Sequence, residues 1–101
     1  MSEYVRLVLV FPPRLETALT GALVAEAGLP GFTLLHGEGH SSDFSNASPA
    51  EQVHGRVQRR VLWMLLPQAQ VEAVFAALRT QVDAHEVRWW LEPVLAMGKL
   101  G

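Results

Sequence analysis

The run RVQRRVLWMLL, Arg56 to Leu66, decides the fold. It contains no glycine and no proline. Val61, Trp63 and Leu65 alternate with Leu62, Met64 and Leu66, so a strand here turns large apolar side chains to both faces of its sheet. It is the third of four strands. Tyr4 to Phe11, rich in Val and Leu, reads as the first, Phe32 to Leu35 as a short second, and Glu86 to Leu91 as the last. Between the first two, Leu15, Leu19, Ala22 and Leu23 recur at helical spacing. Pro12 and Pro13 suit a first helical turn, and Gly28, followed by Pro30, is a natural stop. After the third strand Pro67 opens a second helix, with Val71, Val74, Phe75, Leu78 and Val82 on one face.

The order β-α-β-β-α-β, with right-handed crossovers, predicts an α+β fold. It is a ferredoxin-like sandwich in which a four-stranded antiparallel sheet carries both helices on one face. Residues 1–101 make one such domain, with a long loop at about 37–55. Two helices can cover the sheet only once, so in a monomer the other face should be polar. It is not. Val5, Leu7, Leu9 and Phe11 fill one face of the first strand, yet Val8 and Val10 occupy the other. Trp89 and Trp90 are adjacent and must point to opposite faces. One belongs to the core; the other would sit in an exposed apolar patch, for which self-association is the simplest remedy.

Composition narrows the function. Of 101 residues, 50% are apolar and 18% charged, against about 25% charged in an ordinary domain. A surface partly buried by partner subunits would account for this. The net charge of -2, with no basic block, argues against nucleic acid or an anionic membrane as partner. The absence of cysteine excludes disulfides, thiolate metal sites and a cysteine nucleophile. The N-terminal run VRLVLVFPP carries Arg6, ends in two prolines and falls short of the roughly 20 apolar residues of a membrane span. The expectation is a cytoplasmic protein with no membrane insertion.

The connection from Gly37 to Gly55 runs about nineteen residues, where hairpin loops usually have 2–5. In its second half Ser48-Pro49-Ala50-Glu51 is a capping box with Pro at the first helical position. That predicts a short helical turn over Pro49 to His54, closed by Gly55. The first half has Phe44 as its only large apolar residue, and we expect it to become ordered only with a ligand. His36, His40, Asp43 and His54 are metal-ligand types, without the spacing of a strong zinc signature. Gly37 and Gly39 would let backbone N–H groups turn toward a phosphate. Arg56, Arg59 and Arg60 stand beside the loop, where arginine binds phosphate or carboxylate groups. No catalytic constellation emerges, so no catalytic residue is assigned and no enzyme is expected.

The strand order, the long second hairpin loop and the apolar sheet face resemble the PII and CutA superfamily of small trimeric proteins. More narrowly, SPAEQVHGR (Ser48 to Arg56) and the WWLEPVL segment (Trp89 to Leu95) resemble an uncharacterised PII-like family. Its members carry an S-x-x-E-Q-V-x-G-R pattern after a Gly/His-rich loop and are often encoded beside heavy-metal efflux pumps. Ser48, Glu51, Gln52, Val53, Gly55 and Arg56 match that pattern. The resemblance implies a homotrimer with ligands in clefts between subunits. It implies a long loop that docks on a transporter or enzyme, and an adenine nucleotide among the ligands. The junction QVDAHE (81–86) lacks the Gly- and Lys-rich nucleotide loop of PII proteins. The expected function is a PII-like signalling protein that senses a small ligand through Gly37, Gly39, Ser48, Glu51, Gln52, Gly55 and Arg56. Its partner would be a heavy-metal efflux transporter. The alternatives are a protein that binds a divalent metal ion directly through His36, His40, Asp43 and His54, and a structural trimer with no ligand.

Overall fold

The computed structural model describes residues 3–26, 28–40 and 57–101. Four strands, β1 (Tyr4–Phe11), β2 (Thr33–Gly39), β3 (Val57–Pro67) and β4 (Arg88–Pro93), alternate with two helices, α1 (Glu16–Ala25) and α2 (Val71–Arg79). The sheet order is β2-β3-β1-β4 and every pairing is antiparallel. This is the expected ferredoxin-like α+β sandwich.

Local chemistry sets the element ends. Pro12 is extended, and Pro13 begins a single 3-10 turn that runs straight into α1. Proline's fixed φ suits that turn, and its missing N–H would have had no partner there. α1 stops at Ala25, and Gly28 then takes a φ of 84°, a left-handed conformation in which a side chain would be strained. Pro67 closes β3, and a 3-10 turn over Gln68–Gln70 leads into α2.

The core lies between the helices and one sheet face. Val5, Leu7, Leu9 and Phe11 of β1 and Leu62, Met64 and Leu66 of β3 are buried there. Leu19 and Leu23 of α1, and Val71, Val74, Phe75 and Leu78 of α2, complete it. Full burial of each such side chain contributes about 1.5–3 kcal/mol, which makes this layer the main source of stability.

Two strands differ from expectation by more than one residue. β2 runs on to Gly39, because the first half of β3 offers it ladder partners: His36 faces Arg60, Gly37 faces Arg59 and Gly39 faces Val57. Pairing overrides the weak strand propensity of glycine. β4 starts at Arg88 rather than Glu86 and runs to Pro93. Residues Ala84–Glu86 are taken by a 3-10 turn whose cap, Asp83, accepts from the His85 N–H at 3.1 Å. The predicted turn over Pro49 to His54, its capping box and Gly55 lie outside the described residues.

The uncovered face is apolar, as expected. Val8 faces Trp63 on one side and Trp90 on the other, and is only 4% exposed although no helix covers it. Arg6 lies 5.4 Å over the Trp63 ring and donates to Glu92 Oε1 from Nε (2.8 Å) and Nη2 (2.5 Å). The Trp90 indole N–H donates to Glu92 Oε2 at 2.8 Å. The two tryptophans of β4 take opposite faces as predicted: Trp90 belongs to this face, and Trp89 turns to the helix side, 4.8 Å from Phe75. Trp89 is not the core residue expected, because α2 ends at Arg79 and leaves it half exposed.

The Trp90 indole, with the Arg6 guanidinium, holds the Glu92 carboxyl below the usual carboxylate range. A lowered value means that the network is complete above the ordinary carboxylate value of 4.5 and is lost as pH falls through the lowered one. We therefore expect the Trp90 indole NMR signal to stay constant from neutral pH down to 4.5 and to move only in more acid solution. Glu92→Gln should abolish that movement. A midpoint at or above the ordinary value would contradict the network.

Candidate functional site at the root of the β2–β3 connection

The end of β2, the start of β3, the end of β1 and the start of β4 meet at one end of the sheet. Arginines crowd this end, and their pairing separates them. Arg60 is on the helix side and donates from Nε to Glu16 Oε1 at 2.7 Å, tying β3 to the first turn of α1. Arg14 pairs with Glu86. Arg59 and Arg88 have no acidic partner among the described residues. Both belong to the open face, because Arg88 faces Val10 and Arg59 stands two positions from Val61, which also faces Val10.

Val10, Phe11, Pro12, Arg59, Glu86 and Arg88 line a cleft of about 90 Å³. Its walls are β1 as it exits the sheet and the guanidinium groups of Arg59 and Arg88. With Glu86 engaged by Arg14, the cleft presents positive charge to its opening. Guanidinium forks of this kind bind carboxylates and phosphates through paired N–H donors.

The structure disperses part of the predicted site. Gly37 and Gly39 are strand residues of β2, not loop residues. Among the described glycines only Gly28 has a positive φ, so this G-x-G does not form the turned-in nest that cradles a phosphate. His36 lies in β2 opposite Arg60. His40 stands just beyond the strand with Nε2 3.9 Å from Glu38. Among the described residues no three His, Asp or Glu side chains gather as a metal centre would require. Asp43, Ser48, Glu51, Gln52, His54, Gly55 and Arg56 lie outside the described residues. Arg88 escaped the sequence reading because it was placed inside the last strand rather than at its mouth. The alternation of Arg88 with Trp90 was the available signal.

The glycines of β2 are not equivalent. A Cβ on Gly37 would meet nothing within 4 Å, whereas one on Gly39 would come within 3.1 Å of Arg59 Nε. Gly37→Ala should raise stability by about 0.5 kcal/mol, the entropy that glycine costs inside a strand. Gly39→Ala should push Arg59 aside and weaken any anion binding at the cleft. Thermal unfolding and titration calorimetry on the two variants check this pair.

The ferredoxin-like α+β fold is similar to that of a PII protein. The PII protein of Arabidopsis thaliana bound to citrate superposes with a TM-score of 0.67 at 16% identity, over 92% of this chain and 78% of that one. Residues 1–101 match the family described as "Protein of unknown function (DUF3240)", and the chain belongs to that family. A crystal structure of a DUF3240 family protein from Shewanella baltica OS155 superposes with a TM-score of 0.79 at 24% identity, over 100% of both chains. No curated protein matches the sequence. Among the described residues no helix is long and apolar enough to cross a membrane.

Proposed function

We propose that this protein is a PII-like, non-enzymatic regulator. It assembles as a homotrimer in the cytoplasm and senses a small anionic ligand at the root of the β2–β3 connection. The observation that carries the reading is the convergence of Arg59 and Arg88, without acidic partners among the described residues, on the cleft beside Pro12. Gly37, Gly39, Ser48, Glu51, Gln52, Gly55 and Arg56 complete the ligand's surroundings. The apolar open face supports assembly, and the citrate held by the Arabidopsis PII is a carboxylate of the class that such a cleft accepts. Binding reshapes the connection, and a heavy-metal efflux transporter reads that shape.

Titration calorimetry with citrate, ATP, ADP, AMP, Zn, Cu and Ni tests this reading. A polyanion should bind. Arg59→Gln and Arg88→Gln should each weaken it about tenfold or more, since a charge-assisted hydrogen bond is worth roughly 1.5–3 kcal/mol. Heat from a metal alone, lost in His40→Ala, would replace this reading with direct metal binding by His36, His40, Asp43 and His54. Heat from none of the seven would leave a structural trimer.

A further inference from the structure

Among the described residues, Glu86 is the one acid that lines the arginine cleft. Its backbone is held in place. It ends the 3-10 turn Ala84–Glu86, its N–H donates to the Asp83 carbonyl at 3.1 Å, and the Val87 N–H donates to the Ala84 carbonyl at 3.2 Å. Its side chain is 19% exposed, so the carboxylate stays close to the wall it belongs to. A carboxylate so placed is the cleft's own anion. Left alone, it would turn to the guanidinium groups that share its cleft and repel a second anion that came to them.

Arg14 is what holds it. Arg14 sits in the 3-10 turn Pro13–Leu15 and pairs with Glu86, yet it is not among the residues that line the cleft. Its side chain is 53% exposed, and an ion pair so open to water contributes little to the stability of a fold. The pair matters instead for what it prevents. Although Glu86 shares the cleft with Arg59 and Arg88, it forms its ion pair with Arg14 and with neither of them.

We propose that Arg14 is a positioning residue for the anion cleft: by holding Glu86, it keeps the cleft's own carboxylate from competing with an incoming anion for Arg59 and Arg88. This rests on the anion reading proposed above, and the test separates the two.

The two halves of the ion pair should have opposite effects. Citrate and ATP are titrated by calorimetry into the wild type and each variant. Arg14→Gln should weaken whichever anion the wild type binds about fivefold, the size of one like charge at a partly exposed site. Glu86→Gln should tighten it. The double variant should bind at least as well as the wild type, and Arg14→Lys, which keeps the charge, should stay near it. A mere structural brace gives another pattern: loss of either half weakens binding, and the double variant does not recover. That pattern would overturn the proposal. If Arg59→Gln weakens binding and Arg14→Gln does not, the positioning role fails and the anion site stands. If neither citrate nor ATP binds the wild type, both fail. A second readout needs no ligand. In Arg14→Gln the Nε–H NMR signal of Arg59 or Arg88 should shift as Glu86 turns to it, and return in the double variant. If both signals stay in place, the proposal is overturned whatever the titrations show.

Discussion

Val61→Asp should turn the proposed assembly into a folded monomer. Val61 stands on the open face between Val10 of β1 and Leu35 of β2, at the middle of the surface that no helix covers. In a single chain it is half-buried, so a carboxylate there still reaches water. The cost to the isolated fold is then about the 1 kcal/mol by which strand propensities differ. Between packed protomers the same carboxylate is desolvated and unpaired, at several kcal/mol per copy. Sedimentation equilibrium should show the wild type at a multiple of 11.1 kDa and the variant at 11.1 kDa. The far-UV circular dichroism should be unchanged. Val24→Asp, on a residue 75% exposed on α1, is the control that should leave assembly intact. A wild type that is already monomeric, or a variant that remains assembled, would show that this face is not the interface.

The second large effect is on the fold itself. Phe11 is 1% exposed, sits at the end of β1 opposite Arg60, and also lines the arginine cleft. Phe11→Ala removes a ring from the core and leaves a cavity, at a cost of about 3–5 kcal/mol. Domains of this size have roughly 5–15 kcal/mol in total. At about 4–8 °C per kcal/mol, the midpoint of thermal unfolding should fall by more than about 10 °C. The comparison must be made at one protein concentration, because the proposed assembly would make the midpoint concentration-dependent. On the proposed reading anion affinity should fall with it, since Phe11 lines the same cleft as Arg59 and Arg88. A fall of only a few degrees would mean that the end of β1 is not packed as described.

The alternating residues of β1 and β3 were enough to read the sheet, its covered face and its uncovered one. Period-2 patterning reports side-chain direction directly, and Trp89-Trp90 reported it twice. Strand ends were less legible. His36 to Gly39 has no apolar pattern and joins β2 only because Val57 to Arg60 lies alongside, a fact of tertiary pairing. Arg88 became visible as a site residue only when β4 was set two positions later, and Glu92 likewise emerged as the partner of Arg6 and Trp90. Site chemistry depends on which cations already have anions. That is decided by residues such as Arg60 and Glu16, 44 positions apart in the chain, and no local pattern records it.

The strand order also bears on how the chain is made. β1 lies inside the sheet, flanked by β3 and β4, and Arg6 and Glu92 meet across 86 positions of sequence. A ribosome delivers β1 first and one of its two neighbours last. Until β4 emerges, β1 has one open edge, and its Val and Leu side chains face a half-built sheet. Contacts this distant in sequence form slowly, and incomplete sheets with open edges aggregate. Folding to completion must therefore follow synthesis of β4, and pausing translation between β3 and β4 should trap a chain that is held by chaperones rather than one that assembles.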